Sequence, residues 1–203
     1  MNLPWLWIVV AILVITSIGV MLSRDWRWLI ILLALQYAGV LLLALQHWPV
    51  GMATVKVIAG WMSAAILGMT HSNFLEEQDN TPDVLPQGRL FRFIAAIVVG
   101  LIVASSVPLV DVMMADAGRA VSAGGLLLIG MGLLHLGVTD RILQVTIGLM
   151  TVLAGFEVLY AAVESSTLVA ALLAVINLGL ALTGSYLMVA ENADEAEEAE
   201  STI

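Results

Sequence analysis

Seven stretches of mostly apolar residues, each about twenty long, constrain this chain more than any other feature. They run roughly over 4–23, 27–47, 50–71, 90–110, 120–138, 141–163 and 166–190. An apolar run of about 20 residues in helical form crosses a hydrocarbon core about 30 Å thick. Inside lipid every backbone amide needs an internal partner, so each run is read as a helix. A membrane β-barrel would show alternating segments of about ten residues instead. The fold class expected is therefore all-α, a polytopic membrane protein of about seven transmembrane helices.

Composition agrees with this. The chain is 61% hydrophobic and 11% charged over 203 residues, against about a quarter charged for a soluble domain. The charges are segregated. None precedes Arg24, and none lies between Arg27 and Lys56. The net charge of −9 is mostly tail, because six acids fall between Glu191 and Glu200 and leave −3 on residues 1–190. No basic patch suggests nucleic acid as a partner. With no cysteine, disulfides, thiolate catalysis, iron–sulfur ligation and cysteine-based zinc sites are excluded for this chain. The opening Met1-Asn2-Leu3-Pro4-Trp5 lacks the positive n-region of a secretory signal and reads as a retained first helix.

Arginine placement predicts orientation. Arg24 and Arg27, Arg89 and Arg92, and Arg141 fall in three loops on one side of the membrane, and Arg119 falls on the other. The positive-inside rule then places the N-terminus outside and the C-terminus in the cytoplasm. Tryptophans 5, 7, 26, 28 and 48 sit near span ends, where an amphipathic ring is favoured.

Five regions follow. Residues 1–71 form a first three-helix unit, and 72–89 a polar cytoplasmic linker in which Pro82 and Pro86 oppose a regular helix. A joining helix occupies 90–119, a second three-helix unit 120–190, and an acidic tail of disordered composition 191–203. A shift of 116 residues lays Ala38-Gly39 on Ala154-Gly155, Ala65 on Ala181 and Gly68 on Gly184. Both triplets also run in the same direction, as a tandem duplication of a three-helix unit predicts.

Two charges fall inside spans, where each costs roughly 2.5–3.5 kcal/mol at a helix centre. Lys56 and Glu157 both lie about six residues from the outer end of their helices, about 9 Å deep at 1.5 Å per residue. Equal depth and opposite sign suit an ion pair, and a carboxylate so placed suits a proton relay. Against this stands a lysine that snorkels outward while Glu157 pairs with another subunit. Gln36, Gln144 and Asn177 are supporting polar residues able to bond across helices. His135 could pass protons. His47, His71 and His135 lack the spacing of haem or metal ligands, and no cofactor motif, metal cluster or nucleophile–base set appears. Small residues at Ala34, Ala38, Gly124, Gly125, Gly130, Gly132, Gly155 and Gly179 suit close helix approach. With so few polar groups in the spans, a self-contained pathway for a hydrophilic solute is not expected.

The stretch Gly132 to Ala161 resembles the K subunit of bacterial respiratory complex I, in the turn Thr139-Asp140-Arg141 followed by Ile142-Leu143-Gln144-Val145-Thr146-Ile147-Gly148-Leu149, and again in Leu178-Gly179-Leu180-Ala181-Leu182. The same unit occurs in the C subunit of Mrp-type antiporters. A two-part version occurs in component E of hydrogenases of the hydrogenase-four type, which this chain also resembles in Thr54-Val55-Lys56-Val57-Ile58. The resemblance implies a membrane-arm subunit in a prokaryotic cytoplasmic membrane, without its own catalytic centre or cofactor. Its partners would be antiporter-like subunits, and its role proton or sodium translocation or sealing of the arm. The sequence departs from the family at its glutamates: Met150 follows Ile147-Gly148-Leu149, and the second acid falls near Val175. Either Glu157 substitutes for them, or the subunit is a non-conducting scaffold. A small stand-alone transporter is the third reading.

Overall fold

The computed structural model describes residues 4–23, 25–73, 88–114 and 117–201, with side chains at all of these except 89 and 195–201. The described residues form seven helices: α1 (Pro4–Leu22), α2 (Trp26–Ala44), α3 (Val50–Ser72), α4 (Arg89–Met113), α5 (Arg119–Val138), α6 (Ile142–Val163) and α7 (Thr167–Ser201). All seven are long and apolar enough to span a membrane. The chain is an integral, all-α membrane protein.

Local chemistry sets the helix ends. Asp25 caps α2 by accepting the Arg27 amide at 3.1 Å, satisfying one of the free donors of a helix start. α2 was expected to reach residue 47 but ends at Ala44, and a turn carries the Trp48 amide to the Ala44 carbonyl at 2.8 Å. Pro49 is the N-cap residue before α3, and the residue before a proline is pushed out of helical geometry. The polar linker expected over 72–89 lies mostly outside the described residues, at 74–87. Its flanks belong to helices, because α3 runs through Ser72 and α4 starts at Arg89. α4 continues past Pro108 to Met113.

The disordered acidic tail is corrected. α7 continues without a break to Ser201. Alanine and glutamate favour helix, and extending an existing helix avoids the cost of nucleation. Asn192 also bonds back to the Met188 carbonyl at 2.7 Å. At 1.5 Å per residue the 35-residue helix is about 52 Å long, longer than a hydrocarbon core of about 30 Å. Its acidic end therefore projects beyond the apolar layer.

The helices form two stacked layers. In the first, α2 packs between α1 and α3; in the second, α6 packs between α5 and α7. Each helix also lies on its counterpart: α1 on α5, α2 on α6, α3 on α7. α5, α6 and α7 begin 115, 116 and 117 residues after α1, α2 and α3. Peripheral α4 packs on α5 and α1.

Packing repeats with the same offset. A Cβ at Gly39 would meet Leu13 at 2.7 Å, and one at Gly155 would meet Ile129 at 2.7 Å. One at Gly68 would meet Ile30 at 3.6 Å, and one at Gly184 would meet Thr146 at 2.4 Å. Each glycine and each neighbour is displaced by the same 116 positions. The Trp48 indole also donates to the Glu164 carbonyl at 2.9 Å, joining the α2–α3 turn to the α6–α7 turn across that interval.

Glycines set the closest contact, between α5 and α6. Gly125 and Gly132 face Gly155 and Gly148, and a Cβ on Gly155 would stand 2.6 Å from the Gly125 carbonyl oxygen. Gly124 faces Leu43 of α2 instead, and Gly130 faces Val99 of α4, so α5 offers glycines to three neighbours. Gly179 differs from the expectation of close approach, because a Cβ there would meet open space.

Candidate functional site

Lys56 and Glu157 meet. The Lys56 ammonium donates to Glu157 Oε1, and both side chains are 2% exposed. Lys56 does not snorkel outward. It stands six residues into α3, Glu157 stands six before the end of α6, and the helices run in opposite directions, so the two reach the same depth. The second carboxylate oxygen, Oε2, is buried without a protein partner. Removing two charges from water costs several kcal/mol per ion, repaid only by close mutual contact and further hydrogen bonds. This pair has the close contact, and half of the carboxylate lacks the further bond.

Beside it lies a neutral pair. The Tyr37 hydroxyl donates to Asn177 Oδ1 at 2.8 Å, with both residues 1% exposed. Tyr37 lies within electrostatic reach of Glu157. Its ring fits because residue 60 is glycine: a Cβ there would sit 2.3 Å from the ring. A third group lies deeper. Gln36 Nε2 donates to Ser17 Oγ at 2.9 Å, and the Thr151 hydroxyl reaches Gln36 Oε1 at 3.4 Å and the Ile147 carbonyl at 2.8 Å. At the opposite end of α6 the Thr139 hydroxyl donates to Gln144 Oε1, and buried His135 lies near the Gln144 backbone.

These groups stand at three heights along α6. Gln144 and Glu157 stand 13 positions apart on α6, about 20 Å, with Thr151 between them in height. Each bonds another polar side chain: Gln144 bonds Thr139, Thr151 bonds Gln36 and Glu157 bonds Lys56. The polar residues of the spans are few, and they gather in three separate groups contributed by α1, α2, α3, α5, α6 and α7. Of the residues singled out in the sequence, Lys56 pairs with Glu157, and Gln36, Gln144 and Asn177 each find a partner. His47 and His71 lie apart, His71 against the Trp26 ring at 5.6 Å. Among the described residues no group of three or more potential metal ligands forms.

Tyr37, Ser17 and Thr151 were not singled out. Tyr37 carried a signal, since a mid-span phenol must find a partner when buried. Thr151 carried a fainter one, seven residues from Gln144 on one face of α6. Ser17 carried none, because helical serines commonly bond their own backbone.

The bonds Lys56–Glu157, Tyr37–Asn177 and Gln36–Thr151 all cross from the first three-helix unit to the second. At the positions displaced by 116, the counterparts of Lys56 and Glu157 are Leu172 and Leu41. These polar bonds thus break the symmetry of the packing. Interhelical bonds of this kind contribute on average about 0.6 and at most about 1.7 kcal/mol. Tyr37→Phe should therefore lower stability by that order, read as an earlier midpoint in a denaturing-detergent titration. An unchanged midpoint would show that the Tyr37–Asn177 bond does not hold the layers together. Compared with protein-family models, curated proteins and solved structures, the chain matches none.

Proposed function

We propose that this chain is a membrane-arm subunit of an ion-translocating assembly related to respiratory complex I, group-four hydrogenases or Mrp antiporters. It lies in a prokaryotic cytoplasmic membrane with its N-terminus outside and its C-terminus in the cytoplasm. It contributes to proton or sodium translocation, with Glu157 as the working carboxylate and Lys56 as its partner. His135, Gln36, Gln144 and Asn177 support the pair, together with Tyr37, Ser17 and Thr151. The observation that carries this reading is the buried ion pair inside the membrane-spanning part of α3 and α6. Intramembrane charges mark ion pathways by default. A proton arriving on Glu157 removes its attraction for Lys56, so protonation at one point shifts a charge on a neighbouring helix. The unpartnered Oε2 supplies the acceptor.

A second reading has its own support. The pair is closed to solvent, and its bonds staple one unit to the other. In lipid no hydrophobic drive selects how two apolar layers stack, so a few polar bonds can fix their register. On that reading the subunit is a non-conducting scaffold.

The test is purification of the tagged chain from its native membrane in mild detergent, with mass spectrometry of what accompanies it. Antiporter-like subunits in the eluate are expected. Elution alone, with ion flux in liposomes from the isolated chain, would replace the assembly reading by a stand-alone transporter.

A further inference from the structure

Between α1, α2, α5 and α6 lies a small cavity with about 10 Å³ of room for the centre of a water molecule, lined by Ser17, Val20, Gln36, Met131, Gly132, His135 and Thr151. Four of these residues carry polar groups, and all four are more than nine-tenths buried. His135 Nε2 has no partner. A ring nitrogen can give or take a hydrogen bond, depending on the tautomer. Ser17 Oγ accepts from Gln36, so its own hydrogen is free to turn into the cavity. The Gln36 carbonyl oxygen is held only by a 3.4 Å contact. Empty cavities in proteins are apolar, whereas a polar one of about 10–15 Å³ on this measure with two to four partners holds water.

We infer that this cavity is an internal water site, in which one ordered water bridges His135 Nε2 to the Gln36–Ser17–Thr151 group. Thr151 stands seven residues from Gln144 and six from Glu157, about 10 Å and 9 Å along α6. The water therefore lies at a height between the ion pair and the Thr139–Gln144 end. It also gives the unpartnered imidazole nitrogen its missing bond. As a consequence that rests on the relay reading above, His135 and this water become the stepping stone beyond Thr151. The water site itself does not depend on that reading.

The experiment is water-edited solid-state NMR on the full chain in lipid bilayers, labelled with ¹⁵N-histidine and ¹³C-isoleucine. The His135 signal is assigned by its loss in His135→Phe. Magnetisation from water is expected at His135 Nε2 several-fold faster than at Ile147, a neighbour on α6 that is fully buried. Ser17→Val, which fills the cavity and removes one partner, should slow His135 to the Ile147 rate. A His135 build-up no faster than that of Ile147 in the parent chain overturns the water site. So does a rapid build-up that survives Ser17→Val, which would bring the water from elsewhere. The measurement needs no ion flux, so a failed relay and a dry cavity give different results.

Discussion

Lys56→Met is expected to destabilise the bundle by about 3–5 kcal/mol, the loss typical of removing one partner from a buried ion pair. Glu157 would then keep one oxygen that has lost its ammonium and a second that never had a partner. Glu157→Met should cost a similar amount by stranding the ammonium at 2% exposure. The double variant Lys56→Met/Glu157→Met should recover most of the loss, because well-packed apolar replacements of buried pairs are often neutral or stabilising. Midpoints in a denaturing-detergent titration of the four proteins give the cycle. Additive losses would mean that the two side chains do not act as a pair. The double variant also separates the functional readings. If it is folded and incorporated with its partners but ion translocation is abolished, the carboxylate is a working group. If translocation continues undiminished, the pair is a staple and the relay reading falls.

Gly155→Ala is expected to lower stability by about 1–3 kcal/mol, the range for overpacking a well-filled interior. The new methyl would meet the Gly125 carbonyl oxygen at 2.6 Å and the Ile129 amide nitrogen at 2.7 Å. Both are backbone atoms, so no side-chain rotation relieves the clash and α5 must move away from α6. Gly179→Ala is the internal control. Its methyl points into open space, and alanine exceeds glycine in helix propensity by about 1 kcal/mol, so the change should be neutral or stabilising. Equal losses at both positions would mean that general glycine effects, rather than the α5–α6 seam, set the result.

The difference between Gly155 and Gly179 shows where sequence reading stops. Both are glycines on apolar helices, and both were read as points of close approach. Which face of a helix meets a neighbour depends on rotation about its axis, and a helix that is apolar all round gives no amphipathic stripe to fix that rotation. The acidic tail shows a different limit. Its composition suits disorder, yet its alanines and glutamates extend a helix whose nucleus already exists in α7.

The sequence by itself determined the class and the count. Seven apolar runs leave the backbone no option but seven helices, because lipid offers no other partner for an amide. It also determined the depth of Lys56 and Glu157, since rise per residue converts position into depth. Only the tertiary structure decided that the second trio lies on the first helix by helix, and that α3 and α6 come close enough for the two charges to meet. It alone placed Tyr37 near the ion pair and gathered Ser17 and Thr151 around Gln36, with a cavity beside His135. The reason is the solvent. Hydrophobicity selects an inside for a soluble chain, but in lipid apolar faces are equivalent, and the arrangement is settled by glycine-scale contacts and a few polar bonds.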